Sequence, residues 1–196
     1  SQVSFSATTK DQLRESPSPI SQTAINPDPV TAEELQTAIA AAELTGIDKI
    51  LKIITREVGV RESRTGLSPR IAEYNASMNF TATSDSVPWN SQFLGWAVLQ
   101  AGYKHSSNAM SRSWEKWGQD SSEAVGEWLV GCVMVAKREA SSPSWGGIAG
   151  IYLGDKDDDH VRILGGNIFN SVDAATVEKE KVTACRLPDD FKPVAQ

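Results

Sequence analysis

Residues 88–102 read Pro-Trp-Asn-Ser-Gln-Phe-Leu-Gly-Trp-Ala-Val-Leu-Gln-Ala-Gly, and this stretch decides how the rest of the chain is interpreted. Four apolar residues recur at the three- and four-residue spacing of a buried helix face. They are Phe93, Leu94, Ala97 and Val98. We therefore predict a helix from Asn90 to Ala101, which Gly102 ends.

Five further blocks surround this helix. An apolar segment with Gly-Val-Arg-Glu and then Ser-Pro-Arg-Ile-Ala-Glu-Tyr comes before it, at residues 50–62 and 68–74. Residues 109–118 follow it and read Ala-Met-Ser-Arg-Ser-Trp-Glu-Lys-Trp-Gly. The remaining blocks are Gly-Cys-Val-Met-Val at 131–135, Gly-Ile-Ala-Gly-Ile-Tyr-Leu-Gly at 147–154, and Ile-Leu-Gly-Gly-Asn at 163–167 with Arg-Leu-Pro at 186–188.

Taken in this order, the blocks resemble the papain-like peptidoglycan amidases, the superfamily of CHAP and NlpC-type cysteine peptidases. The resemblance covers residues 46–190, most of the chain. It implies a papain-like α+β fold, in which one helix packs its N-terminus against a central antiparallel sheet. The 88–102 block would be that helix.

The resemblance also implies that the catalytic groups have been lost. The family places its nucleophilic Cys at the position of Asn90 and its basic His at the position of Ile148. An amide offers no thiolate and an isoleucine accepts no proton, so the family reaction has neither nucleophile nor base. Asn167 stands where the family has the residue that orients the His; we interpret it as a turn residue after two glycines.

An active peptidoglycan hydrolase with a relocated site is the alternative. Its candidates would be the chain's two Cys, its two His and Ser91, although the side chain of Ser91 is expected to point elsewhere on the helix than that of Asn90. Cys132 lies in an apolar strand and is expected to behave as a small buried hydrophobe. His105 and His160 lie in polar surroundings and are expected at the surface.

The pattern of elements independently predicts an α+β fold. A first helix is expected to begin at a capping box formed by Thr31 and Glu34 and to end at Gly46. A second helix is expected from Asp48 to Gly59, and Ser68-Pro69 is expected to begin a third. From Trp128 onward, runs rich in Val and Ile alternate with turn residues. The expected strands span residues 129–136, 147–153, 160–164, 168–172 and 181–186. Helices first and strands later favour α+β over a parallel α/β sheet.

The first thirty residues differ in composition from the rest. Residues 1–30 are rich in Ser, Thr, Gln and Pro and have few apolar anchors. We predict that they form an extended arm that contacts another protein chain, that residues 31–190 form the amidase-like domain, and that residues 191–196 form a tail.

Composition excludes several classes of function. The net charge of −6 gives no electrostatic case for nucleic-acid binding. The two Cys form neither a zinc pattern nor a disulfide framework, so no cofactor or metal is expected. The acidic run at 155–159 lacks the closing Glu of a calcium loop and is expected to be a solvated turn. The absence of a long apolar run predicts a soluble chain without a membrane span.

The six Trp suggest sugar binding as one function, because aromatic side chains can pack against sugar rings. Most lie in helical blocks, where core packing explains them, but Trp89 and Trp145 are candidates for ligand binding beside the former cleft. Because the family is widespread in bacteriophage and in cell-wall machinery, the resemblance implies a non-enzymatic structural or peptidoglycan-binding component of a phage tail, baseplate or bacterial assembly. Such a component would be associated with a virion or a cell wall.

Overall fold

Five α-helices and seven β-strands form the part of the chain that a computed structural model describes, residues 25–105, 109–138 and 146–194. The helices are α1 Ala32–Thr45, α2 Lys49–Thr55, α3 Pro69–Ser77, α4 Asn90–Gln100 and α5 Ser121–Val125. The strands are β1 Ile25–Pro27, β2 Gln119–Asp120, β3 Val133–Lys137, β4 Gly147–Asp155, β5 His160–Ile168, β6 Ser171–Glu178 and β7 Val182–Leu187. Two 3₁₀ helices span Ser111–Lys116 and Lys179–Lys181. The predicted α+β class is confirmed.

Local signals set most helix ends. The Thr31 hydroxyl accepts a hydrogen bond from the Glu34 backbone N–H at 3.1 Å, and Gly46 ends α1 with a φ of 86°. Pro69 is the first residue of α3, as predicted. The second helix is shorter than expected, because α2 ends at Thr55 and the chain then turns toward Gly59.

All neighbouring strands in the sheet are antiparallel, in the order β1-β6-β5-β4-β3-β7-β2. Strand β6 is longer than expected and starts later. Its centre, Asp173-Ala174-Ala175, lacks the β-branched residues that signal a strand. Pairing with β5 on one side and β1 on the other decides its conformation instead.

Helix α4 lies directly on β4 and β5, and a glycine permits this close approach. A Cβ atom added to Gly166 of β5 would lie 2.5 Å from the Cβ atom of Phe93. The side chain of Phe93 is fully buried there. The helix therefore contacts the sheet at a distance that only glycine allows at position 166.

The predicted arm is wrong for its last six residues. Ile25 is 3 % exposed and pairs with Val177 of β6, so residues 25–27 are an edge strand of the chain's own sheet. Asp28 then forms an ion pair with the buried guanidinium of Arg162, 3.0 Å from Nη1 to Oδ2. Pairing with a distant strand supplies the anchor that the composition does not show. Residues 1–24, the rest of the predicted arm, lie outside the described residues.

The expectation of an isolated buried thiol at Cys132 is also wrong. Cys132 and Cys185 form a disulfide, with 6.1 Å between their Cα atoms. Strands β3 and β7 are neighbours although 53 residues separate the two Cys. Sequence periodicity identifies strands but does not say which distant strands pair, and so this disulfide was missed.

No helix among the described residues combines the length and the apolar character needed to cross a membrane.

Removing residues 1–30 is expected to destabilise the domain. Burial of Ile25 is lost and the buried Arg162 loses Asp28, so the free energy of unfolding should fall by about 2–4 kcal/mol. Urea denaturation measures this change. Removal of residues 1–24 is the matched control, since it keeps β1 and Asp28. Equal stability of the two shortened chains would contradict the assignment of β1 to the domain core.

Candidate functional site

Asn90 is the first residue of α4, and its side chain reaches the sheet. The helix N-terminus faces β4, the strand that carries Ile148. Asn90 is 8 % exposed, and it contacts the backbone at Ala149, the residue next to Ile148. The predicted placement of this helix end opposite that strand is confirmed.

The Asn90 amide uses its full hydrogen-bonding capacity. Its Nδ2 donates to the carbonyl oxygens of Ala149 at 3.0 Å and Gly166 at 2.8 Å. Its Oδ1 accepts from the Ala149 N–H at 2.9 Å and from the Ser111 hydroxyl at 2.6 Å. A side-chain amide has two donor hydrogens and two acceptor lone pairs, so these four bonds saturate it. The backbone partners also fix which amide atom is oxygen, because only Oδ1 can accept from an N–H.

Asn90 bonds to two neighbouring strands where their regular pairing ends. The pairing of β4 with β5 reaches the Ile151–Leu164 pair, and the register of β5 with β6 becomes irregular between Gly165 and Ile168. Beyond the Ile151–Leu164 pair, the amide of Asn90 bridges Ala149 of β4 and Gly166 of β5. It thus supplies hydrogen bonds to backbone groups beyond the last regular strand pair. Because buried backbone groups need partners, this side chain completes the sheet.

Ile148 and Asn167 flank these contacts without forming them. Ile148 is 1 % exposed and pairs with Ala136 of β3. Asn167 has a φ of 54°, in the left-handed region. It lies within β5, at the irregular register, rather than in a turn as expected. The cause is the bulge after Gly165, which sequence alone does not locate.

Trp89 is not available as a ligand platform, which corrects one of the two sugar-binding candidates. Its side chain is fully buried between the rings of Tyr74 and Phe93. Its indole N–H donates to the Glu62 carboxylate at 3.0 Å. Packing against α3 explains this residue. The other candidate, Trp145, lies outside the described residues.

Two serines contribute to this site, of which Ser111 was missed from the sequence and Ser91 was considered only as a substitute nucleophile. Ser111 begins the 3₁₀ helix and donates to Asn90. Ser91 is buried and accepts a hydrogen bond from the Trp114 indole N–H at 2.9 Å. Together they join α4 to the 3₁₀ helix. The only sequence signal was their membership of two blocks that the family resemblance places near each other.

A polar cluster centred on the buried Glu57 carboxylate packs against α4. The Glu57 carboxylate accepts two hydrogen bonds from the Arg70 guanidinium and one from the Tyr74 hydroxyl. These hydrogen bonds, led by those from Arg70, hold the pKa of Glu57 below its usual value despite burial. Arg70 also lies over the ring of Trp96 in α4, 4.8 Å from the ring centroid. The cluster thus ties α2, α3 and α4 together.

The groups considered for a relocated site do not come together. The sulfur atoms of both Cys are bonded to each other, so neither is a free thiolate. His160 lies at the start of β5 and contacts Asp157 at 2.7 Å through Nδ1. His105 lies instead beside a surface groove with Trp117 and Lys116. Among the described residues, no cluster of three or more His, Cys, Asp or Glu could hold a metal ion.

A scan against protein-family models, a search of curated proteins and a search of solved structures each found no match to this chain.

Replacing Asn90 with Ala is expected to lower the free energy of unfolding by about 2–4 kcal/mol. The change leaves the buried N–H and C=O of Ala149 and the C=O of Gly166 without this partner. Thermal and urea denaturation check it. Gln100→Ala is the control, since it shortens an exposed amide in the same helix. Equal, small losses in both variants would show that Asn90 does not complete the sheet.

Glu57 is expected to make the free energy of unfolding depend on pH in the acid range. Its lowered pKa means that the folded state favours the carboxylate, so this stabilisation is present above the unfolded pKa of about 4.3. It is lost as the pH falls through the lower folded value. Glu57→Gln should cost about 1–3 kcal/mol at neutral pH, and the difference from the native chain should shrink in acid.

Urea denaturation across this pH range measures the effect. Glu73→Gln is the matched control, because Glu73 contacts the same Arg70 but its side chain is 57 % exposed. A pH dependence of equal size in both variants would contradict the role of Glu57.

Proposed function

We propose that this chain is a non-enzymatic module with an amidase-like, papain-like fold, and that it serves as a structural component of a bacteriophage or bacterial assembly. One observation carries the proposal. The residue at the nucleophile position of the resembled family is a buried amide whose four hydrogen-bonding positions are all used within the domain.

The surroundings of position 90 also disfavour a nucleophile. Two carbonyl oxygens, of Ala149 and Gly166, face the side chain within 3.0 Å. Carbonyl oxygens carry partial negative charge, and they would raise the free energy of a thiolate or alkoxide at that point. The neighbouring Ile148 offers no proton acceptor. The site therefore supports a structural role better than hydrolysis.

Two further features support a structural component. The disulfide between Cys132 and Cys185 fits a location outside the reducing cytosol, such as a virion or a cell wall. Burial of Trp89 removes one of the two aromatic side chains that would favour peptidoglycan binding. A structural role therefore accounts for more of the described residues than a wall-binding role.

The full chain is expected to release no soluble muropeptides from purified peptidoglycan above the buffer control, because neither nucleophile nor base occupies the family positions. Chromatography of the digest measures this, with a muramidase as the positive control. The double variant Asn90→Cys, Ile148→His is tested beside the native chain. It shows whether a thiol and an imidazole at these two positions are enough to restore hydrolysis. Release by the native chain that Ser91→Ala or Ser111→Ala abolishes would overturn the proposal.

Co-sedimentation with insoluble peptidoglycan separates the two non-enzymatic roles. A structural component should stay in the supernatant, and Trp145→Ala should change nothing. Sedimentation that Trp145→Ala abolishes would instead establish wall binding. Asp190→Ala, at an exposed position, is the control for a nonspecific effect.

A further inference from the structure

The turn between β5 and β6 exposes an aromatic ring on a strained backbone. Ile168 pairs with Ser171, so Phe169 and Asn170 alone form the turn. Both have positive φ, 47° and 66°. Such turns favour Asn and Gly, whereas a bulky residue with positive φ costs about 1 kcal/mol. Phe169 is nevertheless 62 % exposed, so its ring gains little from burial within this chain.

The segment that carries Arg61 and Arg64 contacts this turn through its backbone. Arg61 forms a bridge with Ser171, and the neighbouring Glu62 N–H donates to the Asn170 carbonyl at 2.9 Å. Arg61 and Arg64 are exposed, and neither has an ion pair among the described residues. The nearby acidic groups face inward, since Glu62 accepts from Trp89 and the buried Asp85 accepts from the Ser63 N–H.

These three residues, Phe169, Arg61 and Arg64, form a patch that we call the basic-aromatic end. It combines an exposed aromatic ring with two exposed arginines on the segment that pairs with the turn. Aromatic residues and arginines are enriched at protein interfaces, and such a patch fits an acidic protein surface. The patch does not depend on the loss of catalysis at position 90.

The other end of β5 carries the opposite charge. The turn from β4 into β5 contains Asp157, Asp158 and Asp159, all exposed. Asp157 closes the turn by accepting from the Asp159 N–H, and it also contacts His160. Asp158 and Asp159 have no ion pair among the described residues. We call these three aspartates the acidic end.

The two ends cannot meet within one chain. They lie at opposite termini of β5, which has nine residues and so a length of roughly 27–30 Å. They can meet only between molecules, with the acidic end of one copy against the basic-aromatic end of the next. Such a contact uses different surfaces on the two partners, and it therefore propagates into a ring or a filament.

We infer that copies of this chain associate head to tail, through Asp158 and Asp159 of one copy and Phe169, Arg61 and Arg64 of the next. We infer a second copy as the partner because the acidic end of the chain has the charge opposite to that of the basic-aromatic end. A head-to-tail contact would give the proposed structural component a means of self-assembly. It is nevertheless tested by association and not by hydrolysis, so the two proposals can fail separately.

Sedimentation velocity of the full chain over a range of protein concentrations tests the inference. We expect oligomers at low salt that dissociate at high salt, because exposed charge pairs are screened. Arg61→Glu with Arg64→Glu should weaken association at least ~10-fold, and so should Asp158→Lys with Asp159→Lys. Mixing these two variants, or joining all four changes in one chain, should restore it, because each contact regains opposite charges.

Phe169→Gly separates interaction from folding. Glycine adopts a positive φ without strain, so the variant should be at least as stable to heat as the native chain, yet it should associate more weakly. Leu44→Ser is the control, because Leu44 is 82 % exposed on α1, away from both ends. Lys104→Glu with Lys192→Glu controls for the change in net charge.

Three results would overturn the inference. The first is a monomer at every concentration and salt tested. The second is association that neither charge reversal weakens. The third is a mixture of the two reversed variants that remains monomeric while both are folded by circular dichroism.

Discussion

The amide of Asn90 is the interaction on which the centre of this structure depends. It joins the first residue of α4 to β4, to β5 and to the 3₁₀ helix through four hydrogen bonds. The regular pairing of β4 with β5 ends just before this point, and the side chain of Asn90 supplies partners to the backbone groups beyond it. A side-chain amide carries the same donor and acceptor groups as a peptide bond, so it can bond to these groups without leaving its own polar atoms unpaired.

The rest of the domain is held by ties between residues that are distant in sequence. Arg162, in the central part of the sheet, pairs with Asp28 after β1 and with Glu34 of α1. The disulfide links the residue that precedes β3 to β7. The cluster around Glu57 connects the two helices before α4 to α4 itself. The cluster around Glu57 reaches α4 through Trp96, whereas the ion pairs of Arg162 join the sheet to α1 and the disulfide lies within the sheet.

The proposed loss of catalysis is compatible with this packing. In the family that the sequence resembles, the helix N-terminus against the sheet presents a nucleophile. Here the first residue of α4 has a side chain whose polar atoms are all used within the domain. The proposal requires a change of chemistry without a change of packing, and the hydrogen bonds of Asn90 meet that requirement.

The elements that could be predicted from the sequence are those whose signals are local. The Thr31 cap, the Gly46 stop, the Pro69 start and the apolar face of α4 each act within a few residues, and all four were predicted. The order of helices and strands also predicted the α+β class, which the structure confirms. Strand β6 was misplaced, because its alanines carry no strong local preference.

The contacts between distant groups become visible only in the folded chain. It assigned residues 25–27 to the sheet, paired Cys132 with Cys185, buried Trp89 and placed Asn167 in a bulge instead of a turn. It also showed that the amide of Asn90 bonds the backbone of Ala149 and Gly166. The physical reason is the same in each case: these contacts form between segments many residues apart, and no periodicity, cap or turn preference within a segment specifies its partner.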